Sequence, residues 1–348
     1  MPLHTKAASN SVKTMVLAAG LIAFSLGTAS AQTSPDTKEG ALDKFLNPQS
    51  KDLANQMEVL KHAIYLQETR LVALDFRLQY GDRIKMREVS FPATDRSLIP
   101  GYIFTPSKLE SGKRLPCIVI VHGGYHERLD PKYFPIIEQA VSKGYTVMFP
   151  EYRGSRGYGA NHYVNDYGVT DTADVIASAE FMAKQDFVHA DRMAIFGQSR
   201  GGMITLSAIQ KEQRRFKAAV NVVGLTDMVA FMSYKPDWRR RDTAKDSSLF
   251  KGKLPDENLA AYMEISPLNH VDAIQTPLLV IATTGDKIVP LALHTGRLID
   301  ALRARNKTHE VKIYDNAPGG HIFLMGDSDE QRDAMKRIFD FIDRYLKP

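Results

Sequence analysis

Beyond residue 84 the chain alternates short apolar runs with longer amphipathic stretches. The runs at 115–121, 145–149, 192–196, 218–223, 278–283 and 310–314 are too short for buried helices and predict strands. Helical spacing predicts helices near 133–142, 170–184, 201–211, 291–304 and 328–346. Two further strands, 86–92 and 98–106, flank the turn residues Thr94-Asp95-Arg96. Apolar strands alternating with helices imply a mostly parallel sheet covered on both faces, an α/β class. Residues 225–271 break the alternation with a polar stretch carrying Trp238, Arg239, Arg240 and Arg241. An insertion there is expected over the C-terminal ends of the strands, as a lid or specificity element. Its arginine run reads as a solvated face, with an anion site as the alternative.

The N-terminal quarter has a different pattern. Leu53, Met57, Leu60, Ile64, Gln67, Leu71, Leu74 and Leu78 recur alternately four and three apart. That spacing predicts one long amphipathic helix over residues 51–80 with a heptad-like seam. Periodicity leaves three destinations open for the seam: the chain's own catalytic domain, an active-site cover, or the same helix of a second copy. Of these we expect packing on the same chain. Residues 32–50 are polar and contain Pro35, Gly40 and Pro48, the pattern of a flexible leader. Before them, Lys6 and Lys13 precede an apolar stretch at 16–26, and Ala29-Ser30-Ala31 precedes Gln32. A positive start, a short apolar core and an A-x-A site predict a cleaved secretory signal over residues 1–31 and a periplasmic or secreted protein. After cleavage no membrane span is expected.

Composition narrows the chemistry. A formal net charge of +5, two lysines of which belong to the signal, is no argument for nucleic acid. The one cysteine, Cys117, lies in an apolar strand and reads as a small buried hydrophobe. No Cys/His metal spacing, P-loop or dinucleotide fingerprint occurs, so neither metal nor cofactor is expected.

The apolar run at 193–196 enters Gly197-Gln198-Ser199-Arg200-Gly201, and a helical segment leaves it. G-x-S-x-G between a strand and a helix is a nucleophile elbow. Glycines are needed because the turn brings neighbouring backbone too close for side chains. A serine hydroxyl is a poor nucleophile and needs a base and an orienting acid. In this fold the chain order is Ser, then Asp or Glu, then His. Asp286 follows the strand at 278–283 and His321 follows the strand at 310–314, so both fall on the rim that carries Ser199. Asp315 is a rival acid, but it is too near His321 in sequence for easy geometry. His270, His294 and His309 are rival bases, one within a helix and two at strand starts. For the oxyanion, one N–H is expected from Arg200 and a second from Gly123 or Gly124, in the loop His122-Gly123-Gly124-Tyr125.

The stretch Glu151-Tyr152-Arg153-Gly154-Ser155-Arg156-Gly157-Tyr158-Gly159 resembles the Y-R-G-S-x-G-Y-G segment of the prolyl oligopeptidase (S9) peptidases. His122-Gly123-Gly124, Gly197-Gln198-Ser199-Arg200-Gly201-Gly202, Ser266-Pro267, Gly285-Asp286 with Val289-Pro290, and Gly320-His321 follow in that family's order. The resemblance covers about residues 85 to 347. It implies an α/β-hydrolase fold over 85–348, preceded by the long helix, and a triad of Ser199, Asp286 and His321. It also places His122 where some relatives carry an oxyanion-binding tyrosine. The expected substrate is a peptide, cleaved through an acyl-enzyme. Small esters such as acylated carbohydrates are the alternative, because an arginine after the nucleophile also occurs in glucuronoyl esterases. Residues 32–84 stand where the family's peptidases usually carry a β-propeller, so dipeptidyl peptidase activity does not carry over. Val223, Phe231, Tyr234, Trp238 and Val289 are the candidates for the side-chain pocket. A homodimer through the helix 51–80 is the expected alternative to packing on the same chain.

Overall fold

A computed structural model describes residues 53–347. The signal and the polar leader lie outside the described residues. Eight strands form one sheet in the order β1-β2-β4-β3-β5-β6-β7-β8. They are β1 (Ile84–Pro92), β2 (Leu98–Pro106), β3 (Leu115–Val121), β4 (Thr146–Pro150), β5 (Val188–Gln198), β6 (Ala218–Val222), β7 (Leu278–Thr283) and β8 (His309–Tyr314). The first two strands and the β2–β4 pair are antiparallel, and every pairing from β4 to β8 is parallel. Every residue of β3 is buried, as its uninterrupted apolar run requires of a central strand with both faces covered.

The strand period of two splits the core into two layers. Ile118 and Ile120 face a layer with Phe149 and Phe196, covered by helices α2 (Phe134–Ser142) and α9 (Asp329–Leu346). Cys117, Val119 and Val121 face the opposite layer, covered by α3 (Thr170–Ala183), α4 (Arg200–Lys211) and α8 (Thr295–Ala304). Burial pushes the Cys117 thiol up to about 12, so it behaves as the small hydrophobe expected. No helix among the described residues is long and apolar enough to cross a membrane.

The insertion is more structured than its polarity suggested. It holds α5 (Met228–Ser233), α6 (Asp237–Asp246) and α7 (Leu259–Glu264). Leu225, Phe231, Phe250 and Tyr262 join Tyr167 and Met203 in a third apolar cluster, in which Phe250 and Tyr262 stack at 3.7 Å. The insertion therefore shares a core with Tyr167 and Met203 and holds a defined shape.

The long helix α1 (Leu53–Tyr80) forms as expected but turns the other way. Leu60, Ile64, Leu71, Leu74 and Leu78 of the seam are each 50% or more exposed. The buried stripe is Thr69, Ala73 and Phe76, with Tyr65, Val72 and Tyr80 half-buried beside it. Fully buried Phe76 meets Phe104 at 4.8 Å and Phe134 at 5.0 Å. The expected packing of the leucine seam on the same chain is thus wrong. Aromatic rings bury more area than leucines and take the protein-facing side. Thr69 fits there because its hydroxyl donates to the Tyr65 carbonyl (2.9 Å), which removes the cost of burying it.

Phe76→Ala should cost about 3–5 kcal/mol, because it empties a site that closed aromatic packing cannot refill. Chemical denaturation followed by circular dichroism checks this. A loss below about 1 kcal/mol would mean that α1 is not anchored through this ring.

Candidate active site

The end of β5 and the start of α4 meet at Ser199, whose φ of 59° and ψ of −121° fall outside the regions an L-residue prefers. Sterics explain the glycines around it. A Cβ on Gly197 would lie 2.0 Å from the Gly201 carbonyl oxygen, and one on Gly201 would lie 2.1 Å from that of Val121. Two strands and a helix therefore converge within backbone contact, and the serine is forced outward.

The Ser199 hydroxyl donates to His321 Nε2 at 2.8 Å, and His321 Nδ1 donates to Asp286 Oδ2 at 2.8 Å. Asp286 is buried, and its Oδ1 accepts the backbone N–H groups of Ile288 and Val289, both at 2.8 Å. Two amides and an imidazole thus satisfy a carboxylate that burial would otherwise penalise. His321 is held by its backbone as well, since Gln198 Nε2 donates to its carbonyl at 3.0 Å. The rivals stand elsewhere. Asp315 accepts from the Thr284 hydroxyl (2.8 Å). His270 and His309 are bonded to the carbonyls of Glu264 and Lys307. His294 lies between Thr226 N and the Tyr234 hydroxyl.

Four residues were expected around the oxyanion, and they separate. Arg200 is the first residue of α4, where a backbone N–H has no partner within the helix. The Gly123 N–H is already given to the Tyr133 hydroxyl (3.0 Å). Gly124, at φ +77°, borders the same cavity as Ser199 and Arg200. His122 is a correction. Its ring is buried between Phe149 and Tyr152, stacked on Tyr152 at 4.2 Å. Its Nδ1 lies 2.9 Å from the Gly123 carbonyl and its Nε2 2.9 Å from the Ser155 hydroxyl. Burial depresses its pKa to about 3, so it is neutral and faces inward. It supports the loop and does not point at substrate.

The Y-R-G-S segment holds that loop from behind. Tyr152 donates its hydroxyl to the His122 carbonyl (2.9 Å), and Glu151 accepts the Leu129 N–H (2.7 Å). Arg153 binds both carboxylate oxygens of Asp174. Gly154, Gly157 and Gly159 all take positive φ. At Gly157 a Cβ would sit 2.5 Å from Thr69 Oγ1, so the segment also seats α1.

The Arg200 side chain turns away from Ser199. Its Nη2 donates to Asp171 Oδ2 at 2.9 Å, its Nη1 to Asn165, and its Cζ lies 3.9 Å from the Tyr167 ring centroid. Only its amide is left for chemistry at Ser199.

Beside Ser199 opens a cavity of about 300 Å³. Of the expected pocket residues, Phe231, Trp238 and Val289 line it. Val223 does not. It is buried in the sheet core, and its N–H donates to the Ile281 carbonyl. Tyr234 stands behind the lining, bonded to His294. Tyr125, Lys235 and Arg239 also line the cavity, although the sequence did not place them among the pocket candidates. No pattern around Lys235 pointed inward, and Arg239 was hidden in a run that reads as solvated. Among the described residues no cluster of His, Cys, Asp or Glu could hold a metal ion.

The chain is similar to several known peptidases. An uncharacterized peptidase of Bacillus subtilis (strain 168), YuxL, is 28% identical over 66% of this chain and 35% of its own length. The acylamino-acid-releasing enzyme of Arabidopsis thaliana is 26% identical over 62% of this chain and 29% of its own. The chain thus spans about a third of the length of these relatives. Among solved structures, the acylaminoacyl peptidase of Pyrococcus horikoshii superposes with a TM-score of 0.64 at 22% identity, over 78% of this chain and 43% of that one. A puromycin-hydrolyzing peptidase of Mycobacterium tuberculosis gives 0.63 at 25% identity, over 76% and 39%. Residues 132–348, which hold all three members of the Ser199–His321–Asp286 chain, match the prolyl oligopeptidase family of peptidases, and the chain belongs to that family.

Proposed function

We propose that the chain is a serine hydrolase that cleaves peptide bonds through an acyl-enzyme. The observation that carries this reading is the unbroken hydrogen-bonded chain from Ser199 through His321 to Asp286, at the mouth of a cavity. Ser199 Oγ attacks the carbonyl carbon of the scissile bond while its proton passes to His321 Nε2. Asp286 keeps His321 in the required tautomer and stabilises the imidazolium. The oxyanion takes the N–H groups of Arg200 and Gly124, backbone donors at the cavity beside Ser199 that need no reorganisation. His321 then gives its proton to the leaving amine, and water releases the acyl group by the same steps reversed. The names of the relatives support a peptide over an ester. The ester reading drew on the arginine after the nucleophile, and its side chain is committed to Asp171 and Asn165.

Ser199→Ala should abolish hydrolysis of peptidyl anilides and of p-nitrophenyl acetate, with a loss of about 10⁴ to 10⁶ in kcat and an unchanged fold. A variant that keeps a tenth of the wild-type turnover would overturn the assignment. Asp286→Asn should lose about 10⁴ at neutral pH, because the amide favours the wrong imidazole tautomer. Asp315→Asn, outside the chain of hydrogen bonds, should be far milder. The reverse order would identify Asp315 as the acid.

Two further parts of the proposal concern assembly and place. The exposed face of α1 from Leu60 to Leu78 keeps the four-three spacing of a helix that pairs with its own copy. A homodimer through this face would remove five large apolar side chains from water. Light scattering should give twice the chain mass, and Leu60→Asp with Leu71→Asp should halve it. A wild-type monomer at micromolar concentration would refute pairing. The N-terminal pattern supports export with cleavage after Ala31. Intact-mass analysis of periplasmic or secreted material should find Gln32 as the first residue, whereas a full-length cytosolic mass would count against export.

A further inference from the structure

The cavity beside Ser199 has an unbalanced charge. Lys235 and Arg239 both line it, and none of its lining residues carries a carboxylate. Neither cation forms an ion pair among the described residues. The nearby acids are already committed. Asp246 accepts from the Tyr125 hydroxyl (2.6 Å), Asp286 from His321 and Asp171 from Arg200.

What holds the two cations in place leaves them free to bind. The Arg239 guanidinium lies 3.3 Å from the Tyr125 ring centroid and donates one Nη2–H to the Tyr167 hydroxyl at 3.1 Å. A guanidinium has five N–H donors in a planar fork, so stacking its face leaves most of its edge available. Lys235 Nζ donates to the Ile288 carbonyl (3.1 Å) and lies 4.6 Å from the Phe231 ring centroid and 4.7 Å from that of Tyr234. Burial and the neighbouring Arg239 charge push the Lys235 ammonium below its ordinary value, while Asp286 opposes them. Two like charges held at one partly desolvated cavity without a counter-ion cost stability, and a bound anion removes that cost. Arg200 also lines the cavity, but its charge is paired with Asp171, and Leu225, Phe231 and Val289 give the wall an apolar stretch. A ligand that fits has a short hydrocarbon stem ending in a carboxylate.

We propose that Arg239 and Lys235 form a carboxylate subsite on the acyl side of the scissile bond, which selects peptides cleaved after glutamate or aspartate. This rests on the serine hydrolase reading above, because that reading makes the cavity beside Ser199 the place for the acyl side chain. The same carboxylate could be presented by an acyl ester of a dicarboxylic acid, so two pairs of substrates are compared. One pair is a peptidyl-glutamyl and a peptidyl-glutaminyl p-nitroanilide. The other is the p-nitrophenyl hemiester of glutaric acid and p-nitrophenyl butyrate.

Wild-type kcat/KM should favour the charged member by about tenfold or more, since a charge-assisted bond is exchanged for a neutral one. The preference should shrink with added salt. Arg239→Ala with Lys235→Ala should bring the ratio near unity, and Arg239→Glu should invert it towards basic side chains. Arg240→Ala, which alters a neighbour paired with Asp237, should keep the wild-type ratio. Discrimination in the peptide pair identifies acidic peptides as the source. Discrimination in the ester pair alone keeps the subsite but overturns the peptide source.

Labelling of Ser199 by a fluorophosphonate is measured in the same preparations. Full labelling with equal rates within both pairs overturns the subsite and leaves the hydrolase reading intact. Calorimetry on Ser199→Ala, with acetyl-alanyl-glutamate amide and its glutamine counterpart, tests the subsite without turnover. Tighter binding of the glutamate peptide, lost in the Arg239 and Lys235 double variant, supports it even if no label is taken up. Equal binding overturns it.

Discussion

Close approach of backbone at Gly197 and Gly201 is the constraint on which the site depends. A carbonyl from β3 and one from α4 occupy the space where side chains would stand. Ser199 therefore has nowhere to put its own side chain except outward, at a left-handed φ that a non-glycine residue adopts only when its surroundings fix it. The parallel order of β3, β5, β6 and β7 follows from that crossing, because α4 must pack back onto the strands beside β5. The same order brings the loops after β7 and β8 to the rim carrying Ser199, and these loops supply Asp286 and His321. The site is thus a consequence of strand order together with two missing side chains.

The sheet and the Ser199–His321–Asp286 chain were legible from sequence for a physical reason. Continuous apolar runs mark buried strands, and sharp turns at their ends demand glycine, so the chemistry-bearing residues sit beside strong local signals. Asp286 was separable from Asp315 because chain order and loop length constrain the rim. The orientation of α1 was not legible. Two stripes run along that helix, one of leucines and one containing Tyr65, Thr69, Val72, Ala73 and Phe76, and periodicity alone favours the more uniformly apolar one. Which stripe turns inward is decided by distant partners: Phe104 and Phe134 against Phe76, and Gly157 against Thr69. His122 failed as an oxyanion candidate for a similar reason. Its role depends on Phe149, Tyr152 and Ser155, which close around the ring only once β4 pairs with β3.

The insertion shows how composition misleads when a polar surface covers a small core. Its charged residues are real and mostly exposed, but Phe231, Phe250 and Tyr262 are enough to fix its path over the sheet. A fixed path makes the direction of each arginine a structural property. Arg240 turns to Asp237 within α6, whereas Arg239 reaches across to rings from the loops after β3 and β4. A run of like residues is therefore not a run of like roles.

Arg200 ties these parts together. Its backbone begins α4 beside Ser199, while its side chain joins Asp171 at the start of α3 and stacks on Tyr167. Tyr167 in turn accepts the hydrogen bond from Arg239. The buried pair thus runs from the turn that sets the serine to the wall that faces the acyl side chain. A buried ion pair adds little net stability over an apolar substitute, but breaking it leaves an uncompensated charge in the interior. That asymmetry gives the pair its value here. It does not make the fold markedly more stable, yet it penalises any arrangement in which the pocket wall and the elbow move apart. The spacing between Ser199 and the cavity is held by a buried charge bonded to both Asp171 and Asn165.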